Sequence, residues 1–193
     1  MRIFLAGATG VIGARLVPLL VGAGHDVVGM TRSPDKADQV RELGAEPAVC
    51  DVYDRQRLLE LVLASQPDLL MHQLTDLPDR LEELEQHRDR NNRMRTEGTR
   101  NLLDAAQGSG AQRFVAQSIA WRPPAGAETV EAHERMVLDA GGVVIEYGTF
   151  YGPGTFGGEK QPPHPRIHLD EAARRTVELL DAPPGVVVVA EPE

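Results

Sequence analysis

The stretch Gly7-Ala-Thr-Gly10-Val-Ile-Gly13 decides the fold because of what stands on either side of it. Before it, Arg2–Ala6 (RIFLA) is a short apolar run typical of a buried strand. After it, Val11–Ala23 carries apolar residues at helical spacing and stops at Gly24. Glycines at this spacing let a phosphate approach backbone N–H groups at a helix N-terminus. The pattern therefore predicts a strand–turn–helix unit whose turn binds the pyrophosphate of a dinucleotide.

Strands and helices alternate along the rest of the chain. Further strands are predicted at Asp26–Met30, Glu46–Cys50, Asp68–His72, Arg113–Ser118, Val143–Tyr147 and Gly185–Ala190. Helices are predicted at Asp35–Leu43, Arg55–Ser65, Asp79–Gln107, Glu128–Ala140 and Leu169–Leu180, and a Gly/Pro-rich loop at Thr149–Pro165. This alternation predicts an α/β fold, a doubly wound parallel sheet of the Rossmann type with helices on both faces. We expect residues 1–193 to form one dinucleotide-binding domain.

One predicted helix leaves two interpretations open. The middle of the long helix, Arg88–Thr99, is strongly polar. It is either a solvated segment or a part of the helix that crosses the cofactor end of the sheet.

The composition fits one hydrophobic core and limits the partners. The 193 residues are 41% hydrophobic and carry a formal net charge of −9. An acidic surface repels phosphates, so neither a nucleic acid nor an anionic membrane is an expected partner. The start of the chain, MRIFLAGATG, does not have the pattern of a signal peptide, and no run reaches the roughly 20 apolar residues of a membrane span. Cys50, the sole cysteine, suits a cytoplasmic location and is expected to be a buried small hydrophobe, not a nucleophile.

The residues after the second and third strands bear on the choice of cofactor. Folds that choose NAD(H) usually place an acid at the end of the second strand, where it binds the ribose 2′-OH. Here Arg32 and Ser33 stand there, and a guanidinium suits a 2′-phosphate unless it is simply solvated. Asp51 is placed to accept from the adenine amino group, or serves as a turn aspartate, and both can hold. We therefore expect NADP(H) in preference to NAD(H).

These segments together resemble the extended and atypical short-chain dehydrogenase/reductase superfamily, and most closely its NAD-dependent epimerase/dehydratase branch. The resemblance rests on GATGVIG, TRSPDK, the strand-end Asp51, PDLLMH, EGTRNLLDAA, FVAQS, YGPGT and RIHLDEAARRT, which cover nearly the whole chain. It implies a Rossmann sheet with a substrate-binding lobe that is here greatly reduced, since the family usually has many more residues than Phe156–Arg166. The loop Thr149–Pro165 would then be the substrate cover.

The resemblance, taken with the motifs above, also implies a set of cofactor contacts. The expected cofactor-binding residues are Gly7, Thr9, Gly10, Val11, Ile12, Gly13, Arg32, Ser33, Asp51, Val52, Gln73, Leu74, Tyr151, Gly152 and Pro153.

The family's catalytic residues are only partly present. Family catalysis uses a Ser or Thr with a Tyr and a Lys in a YxxxK pattern, as general acid–base chemistry. Ser118 matches the serine, whereas counting back from Glu134 places Gly126 and Val130 at the Tyr and Lys positions. Arg95 stands where the family has an asparagine. The proton would then come from Ser118, from water, or from a hydroxyl of the substrate.

Other residues allow two interpretations each. Tyr151, a candidate catalytic residue together with Ser118, either touches the nicotinamide carboxamide, largely through its backbone, or anchors its loop. Trp121 either forms a wall of the substrate pocket or only packs, and His133 is expected to be a surface histidine. His164 and His168 have neither the spacing nor the partners of a metal site, so no metal is expected.

Two functions of different classes follow. The first is an NADP(H)-dependent oxidoreductase acting on a small carbonyl or quinone substrate, which could pair as a homodimer. The alternative is a non-catalytic NADP(H)-binding protein that senses redox state or regulates a partner. Ser118 and YGPGT favour the enzyme, and the missing Tyr–Lys pair favours the sensor.

Overall fold

The computed structural model describes residues 1–78 and 80–192. Its strands are β1 (Arg2–Ala6), β2 (Asp26–Thr31), β3 (Glu46–Val49), β4 (Leu69–His72), β5 (Arg113–Ile119), β6 (Val143–Tyr147), β7 (Thr149–Tyr151), β8 (Arg166–His168) and β9 (Gly185–Val189). Its helices are α1 (Gly13–Gly22), α2 (Ala37–Glu42), α3 (Arg55–Ser65), α4 (Leu84–Arg93), α5 (Thr99–Ser109), α6 (Ala127–Asp139) and α7 (Leu169–Val177). Short 3-10 turns at Pro34–Lys36 and Leu81–Glu83 precede α2 and α4, and a π turn at Met94–Gly98 joins α4 to α5.

Seven strands form one sheet in the order β3-β2-β1-β4-β5-β6-β9, and every neighbouring pair is parallel. The chain builds outward from β1 to β3 and then crosses to β4 on the other side of β1. Sheets of this kind bind ligands beyond the carboxyl ends of the strands, where the strand order reverses. The glycine loop follows β1 at that point. The predicted doubly wound Rossmann-type fold is therefore confirmed.

Both faces of the sheet are buried, which explains why its strands read as continuous apolar runs. Along β1, Ile3 and Leu5 belong to the core beneath α1 and α7. Phe4 and Ala6 point the other way, into the core beneath α3 and α5. None of the helices that the structure describes is long and apolar enough to cross a membrane.

Two predicted elements differ from the structure. The helix predicted over 79–107 starts later, at Leu84, and runs without a gap to Ser109, but its residues Met94–Gly98 form a π turn. The predicted start at Asp79 lies outside the described residues. The loop predicted at Thr149–Pro165 begins with β7, which pairs in parallel with β8. Strands of three residues are too short to show a periodicity.

The remaining boundaries need smaller corrections. The helix predicted at Asp35–Leu43 is split into a 3-10 turn and α2. The other predicted ends lie within three residues of the observed ones.

Candidate functional site

Two of the three glycines are required by the geometry of the glycine loop itself. The third, Gly10, leaves empty space in front of the loop. Gly7 has a φ of +98°, and a Cβ there would lie 2.8 Å from the carbonyl oxygen of Gln73. A Cβ on Gly13 would lie 2.0 Å from the carbonyl oxygen of Gly7. A Cβ on Gly10 would meet a single described atom within 4 Å, the carbonyl oxygen of Gly7 at 3.4 Å. A side chain at position 10 would therefore fill the empty space in front of the loop.

The glycine loop, Gly7–Gly13, and the start of α1 form a cradle that fits the pyrophosphate of a dinucleotide. No side chain caps the start of α1. The backbone N–H groups of Val11, Ile12 and Gly13 donate to no partner among the described residues. The buried side-chain amide of Gln73, beside Gly7, also has no hydrogen bond of ordinary geometry within the described chain. Free donors at a helix N-terminus suit an anionic ligand.

The segment around Pro153 lies against the glycine loop. Arg15 on α1 donates to the carbonyl oxygen of Pro153 at 2.6 Å and to Asp170 on α7 at 2.7 Å. Gly152 has a φ of +111°, and a Cβ there would lie 2.7 Å from the His168 ring. The structure thus brings together two predicted cofactor segments that are about 140 residues apart in the chain.

The Tyr151 hydroxyl is committed to a hydrogen bond. It donates to the carboxylate of Glu191 at 2.5 Å, and Arg166 binds the same carboxylate at 3.0 Å. The hydrogen bond to Glu191 raises the pKa of Tyr151. These contacts match the anchoring interpretation of Tyr151.

Arg32 and Ser33 follow β2 and are expected to lie next to the ribose 2′ position of the cofactor. Arg32 is 61% exposed and lies 3.6 Å from the carboxylate of Asp76. Asp76 is buried and accepts two hydrogen bonds from Arg90, at 3.1 and 3.0 Å, so it is not the partner of Arg32 alone. The backbone N–H of Ser33 donates to the Thr31 hydroxyl.

Three further expected contacts have local structural roles. Thr9 lies with its hydroxyl 3.2 Å from that of Thr31, which joins the glycine loop to the end of β2. Asp51 accepts from the backbone N–H of Tyr53 at 3.0 Å, as a turn aspartate does. Val52 is buried, and its carbonyl oxygen accepts from Asn101.

A buried chain of hydrogen bonds starts where β4 ends. The backbone N–H of Leu74 donates to His72 Nδ1 at 3.2 Å, and His72 Nε2 lies 3.1 Å from the Thr99 hydroxyl. That hydroxyl lies 2.8 Å from His133 Nδ1, and His133 Nε2 lies 2.9 Å from the Gln117 carbonyl oxygen. Since His72 accepts at Nδ1, one consistent set of donors runs from Leu74 to Gln117 with both rings neutral.

The electrostatics of this chain agree with neutral rings. Burial lowers the pKa of His72 well below its usual value and lowers the pKa of His133 to about 4. The prediction of a surface histidine at 133 is wrong, because His133 is only 2% exposed. The acidic neighbour Glu131 is exposed, whereas the face of α6 that carries His133 packs on β5.

Ser118, at the carboxyl end of β5, is part of a buried carboxylate cluster. Its hydroxyl donates to Glu134 Oε1 at 2.5 Å. Arg122 donates to Glu134 Oε2 at 2.8 Å and to Glu146 at 2.9 Å. Burial raises the pKa of Glu134, against the opposing effects of the Ser118 hydrogen bond and the Arg122 charge. A carboxyl with a raised pKa next to a hydroxyl is able to hold and pass a proton.

Glu134 is a candidate functional residue that the sequence interpretation missed. Glu134 was used only as the position from which the expected Tyr and Lys positions were counted. The signal was present, since Glu134 shares the apolar stripe of α6 with Val130 and Val137, at spacings of four and three. An acid in a stripe that faces the core requires a partner.

The two positions expected from the sequence to correspond to the family's Tyr and Lys hold no proton donor. Gly126 precedes the first turn of α6 with a φ of +92°, and Val130 is fully buried. Trp121, three residues beyond Ser118, is 37% exposed.

Neither a metal centre nor an exposed cysteine is found among the described residues. Within residues 1–78 and 80–192, no group of three or more His, Cys, Asp or Glu could hold a metal ion. Cys50 is buried, as predicted, and burial raises its pKa to about 11. A cavity of about 430 Å³ lies at the amino ends of β1, β2 and β3, at the opposite end of the sheet from the glycine loop.

The fold and the cradle define a dinucleotide-binding protein of the Rossmann type. Residues 3–135 match the model of the NAD dependent epimerase/dehydratase family. The chain belongs to that family. A nicotinamide dinucleotide is therefore the cofactor that both the family and the cradle support.

Two curated relatives are reductases by description. A 3-diazoavenalumate denitrifying reductase from Streptomyces sp is 38% identical over 180 residues, which cover 80% of this chain and 58% of that protein. A 4-hydroxy-2-methyl-3-oxo-4-farnesyl-3,4-dihydroquinoline-1-oxide ketoreductase from Stigmatella aurantiaca is 32% identical over 115 residues, which cover 60% of this chain and 32% of that protein. The chain thus spans less than two thirds of the length of either relative.

Solved structures share the fold at low sequence identity. The UDP-glucose 4-epimerase of Thermus thermophilus, in complex with NAD, superposes with a TM-score of 0.80 at 18% identity, over 100% of this chain and 78% of that one. ChuY, an anaerobillin reductase from Escherichia coli O157:H7, gives a TM-score of 0.76 at 19% identity, over 100% of this chain and 98% of that one. The chain is thus truncated relative to the epimerase.

Proposed function

We propose that this protein is an NADP(H)-dependent reductase of a small carbonyl or quinone compound. The observation that carries the proposal is the Ser118–Glu134 hydrogen bond at the carboxyl edge of the sheet, the same edge on which the glycine loop opens. The descriptions of the two curated relatives and of ChuY as reductases support the same class of reaction.

NADP(H), in preference to NAD(H), is supported by the residues that follow β2. Arg32 is an exposed guanidinium whose neighbouring carboxylate, Asp76, already has Arg90 as a bidentate partner. A 2′-phosphate would give Arg32 a stronger partner, because a guanidinium binds phosphate oxygens in a matching fork geometry.

In the proposed reaction the cofactor supplies the hydride, and side chains of this protein supply the proton. When bound, the reduced nicotinamide supplies the hydride. The Ser118 hydroxyl donates its proton to the substrate oxygen, and protonated Glu134 restores that proton to Ser118 Oγ. Arg122 then holds the Glu134 carboxylate that remains, at the 2.8 Å contact already present. This arrangement would replace the missing Tyr–Lys pair.

The other expected residues take supporting roles in this proposal. The backbone of Gly152 and Pro153 would meet the nicotinamide end of the cofactor, with Tyr151 anchoring their loop through Glu191. The loop Thr149–Pro165 would cover the substrate, and Trp121 would form part of the pocket wall. We further propose that residues 1–193 act as one domain in the cytoplasm and can pair as a homodimer.

A second candidate function rests on the absence of the family's catalytic pair. Gly126 and Val130 hold no ionisable group, and a protein that only reports the NADP(H) redox state would need none. Such a sensor would bind NADP⁺ or NADPH and alter a partner without turnover.

Steady-state NADPH oxidation separates the two functions. The assay uses a panel of quinones, diketones and aromatic ketones with the unmodified protein and with Ser118→Ala. We expect turnover in the unmodified protein and a rate about 10- to 100-fold lower in Ser118→Ala, with unchanged NADPH affinity, because one donor to the substrate oxygen is lost. Absence of turnover across the panel would favour the sensor. Full activity in Ser118→Ala would show that the protein is an enzyme whose mechanism does not use Ser118.

A further inference from the structure

Arg95 differs from the other arginines of its segment. Arg88, Arg90 and Arg93 each form an ion pair with a carboxylate. Arg95 is only partly exposed, yet its guanidinium makes no hydrogen bond and no ion pair within 4.0 Å among the residues that the structure describes. It lies on the π turn, a distortion that recurs at functional sites because its extra residue redirects side chains.

Arg95 lies close to the helix that carries Glu134. The π turn packs against α6. Thr99, which directly follows the π turn, is hydrogen-bonded to His133, the residue before Glu134 on α6. Burial lowers the pKa of Arg95, and the charge of Glu134 opposes that effect. Arg95 therefore lies at the junction of α4 and α5, beside the helix that holds one half of the Ser118–Glu134 pair.

The Arg95 guanidinium is unpaired within the described residues and accessible to a ligand. None of its nitrogens is among the described side-chain nitrogens that are both buried and without a partner, so the partly buried group still reaches solvent. The attraction of such a cation to an anion grows as a bound ligand excludes water. The planar fork of a guanidinium matches the two oxygens of a carboxylate.

We propose that Arg95 binds a carboxylate group of the substrate. The substrates would then be small oxo acids, in which a carbonyl faces Ser118 and a carboxylate faces Arg95. The carbonyl half of this inference rests on the proposed reductase function. The anion site rests on Arg95 and its surroundings alone.

Binding tests the anion site without turnover. Matched pairs of an oxo acid and its methyl ester, such as 4-acetylbenzoate and methyl 4-acetylbenzoate with several aliphatic analogues, are titrated calorimetrically into the protein with and without NADP⁺. We expect at least one acid to bind at least about tenfold more tightly than its ester, although the net charge of −9 repels anions in general. Esters that bind as well as their acids across the panel would overturn the proposal.

Variants identify the residue. Arg95→Gln should cancel the preference for the acid, and Arg95→Lys should restore part of it, because the lysine keeps the charge and loses the fork. Arg100→Gln, at an exposed position of α5, is the matched control and should keep the preference. A preference for the acid that survives Arg95→Gln would overturn the assignment.

Activity distinguishes this proposal from the reductase proposal. For an oxo acid that is reduced, Arg95→Gln should lower kcat/KM about 100-fold, while the ester loses little. An equal loss for acid and ester would show that Arg95 acts on the fold or on the reacting oxygen, against the proposal. Binding that depends on Arg95 without any NADPH oxidation would support the anion site and contradict the reductase.

Discussion

Single residues in the glycine loop show what a sequence motif can and cannot predict. The spacing of Gly7, Gly10 and Gly13 predicted a turn that receives phosphate, and the structure gives each glycine a separate physical reason. Gly7 needs its positive φ and Gly13 needs to lie against the Gly7 carbonyl, so both are required for the turn itself. Gly10 alone keeps space free for a ligand.

The choice between NADP(H) and NAD(H) is tested at Arg32. We expect NADPH to bind at least about tenfold more tightly than NADH, a difference of about 1.4 kcal/mol, and Arg32→Ala to remove most of that difference. Calorimetric titration with both cofactors measures it. Arg41→Ala, at an exposed arginine of α2 paired with Asp38, is the control and should keep the preference. Equal affinities in the unmodified protein would show that Arg32 does not select the cofactor.

The proton supply is tested at Glu134. Its raised pKa means that the protonated, donating form is present below that pKa and is lost as the pH rises through it. The reduction rate should therefore fall with rising pH across that range. Glu134→Gln should lower the rate by about 10- to 100-fold and flatten this decline, because an amide cannot release a proton.

Two controls complete the Glu134 experiment. Glu131→Gln, an exposed carboxyl on the same helix, should keep the decline with pH. NADPH affinity, measured separately, should be equal in all three proteins. A pH profile that is identical in Glu134→Gln and the unmodified protein would exclude Glu134 as the proton source.

At the scale of whole elements, prediction succeeded where a periodic pattern was long enough. Arg55–Ser65 and Val143–Tyr147 form the helix and the strand that their patterns predicted. The π turn could not be predicted, because one extra residue leaves the helical pattern on either side intact. The pairing of β7 with β8 depends on tertiary contacts around the Gly/Pro-rich loop, which a local pattern does not contain.

The buried histidine chain links four elements, and it predicts how stability depends on pH. Folded His133 takes up a proton only near pH 4, whereas an unfolded histidine does so near its ordinary pKa of about 6.5. The folded pKa is depressed, so the stabilisation is present at neutral pH and is lost as the pH falls below about 6.5. We expect His133 to account for a loss of roughly 2 kcal/mol in the free energy of unfolding between pH 7 and pH 5.

Urea denaturation at both pH values measures this loss. His133→Gln should lower stability at pH 7 and should lose less between pH 7 and pH 5 than the unmodified protein. His25→Gln, whose ring lies beside the N-terminus and away from the chain of hydrogen bonds, should lose as much as the unmodified protein. A loss in His133→Gln that equals that of the unmodified protein would contradict the neutral, buried state of His133.

At the scale of the whole molecule, the reversal of strand order places those parts of the candidate site that follow or end a strand on one edge of the sheet. The glycine loop after β1, Arg32 after β2, His72 and Gln73 at the end of β4 and Ser118 on β5 all lie at carboxyl ends of parallel strands. The sequence was sufficient for this arrangement, because the order of strands and helices predicts it. The carboxylate cluster of Ser118 and Glu134 required the structure, since it depends on how α6 packs against β5.

Titration of Gly10→Val with NADPH tests whether the glycine loop binds NADP(H). NADPH binding is followed by nicotinamide fluorescence, with circular dichroism and thermal unfolding as evidence of folding. Gly22→Ala, at a helical glycine where a Cβ meets open space, is the control. We expect the unmodified and Gly22→Ala proteins to bind one NADPH, and folded Gly10→Val to bind it at least about 100-fold more weakly, because its side chain occupies the place of the pyrophosphate. An unmodified protein that does not bind NADPH, or a folded Gly10→Val protein with unchanged affinity, would contradict NADP(H) binding at the glycine loop.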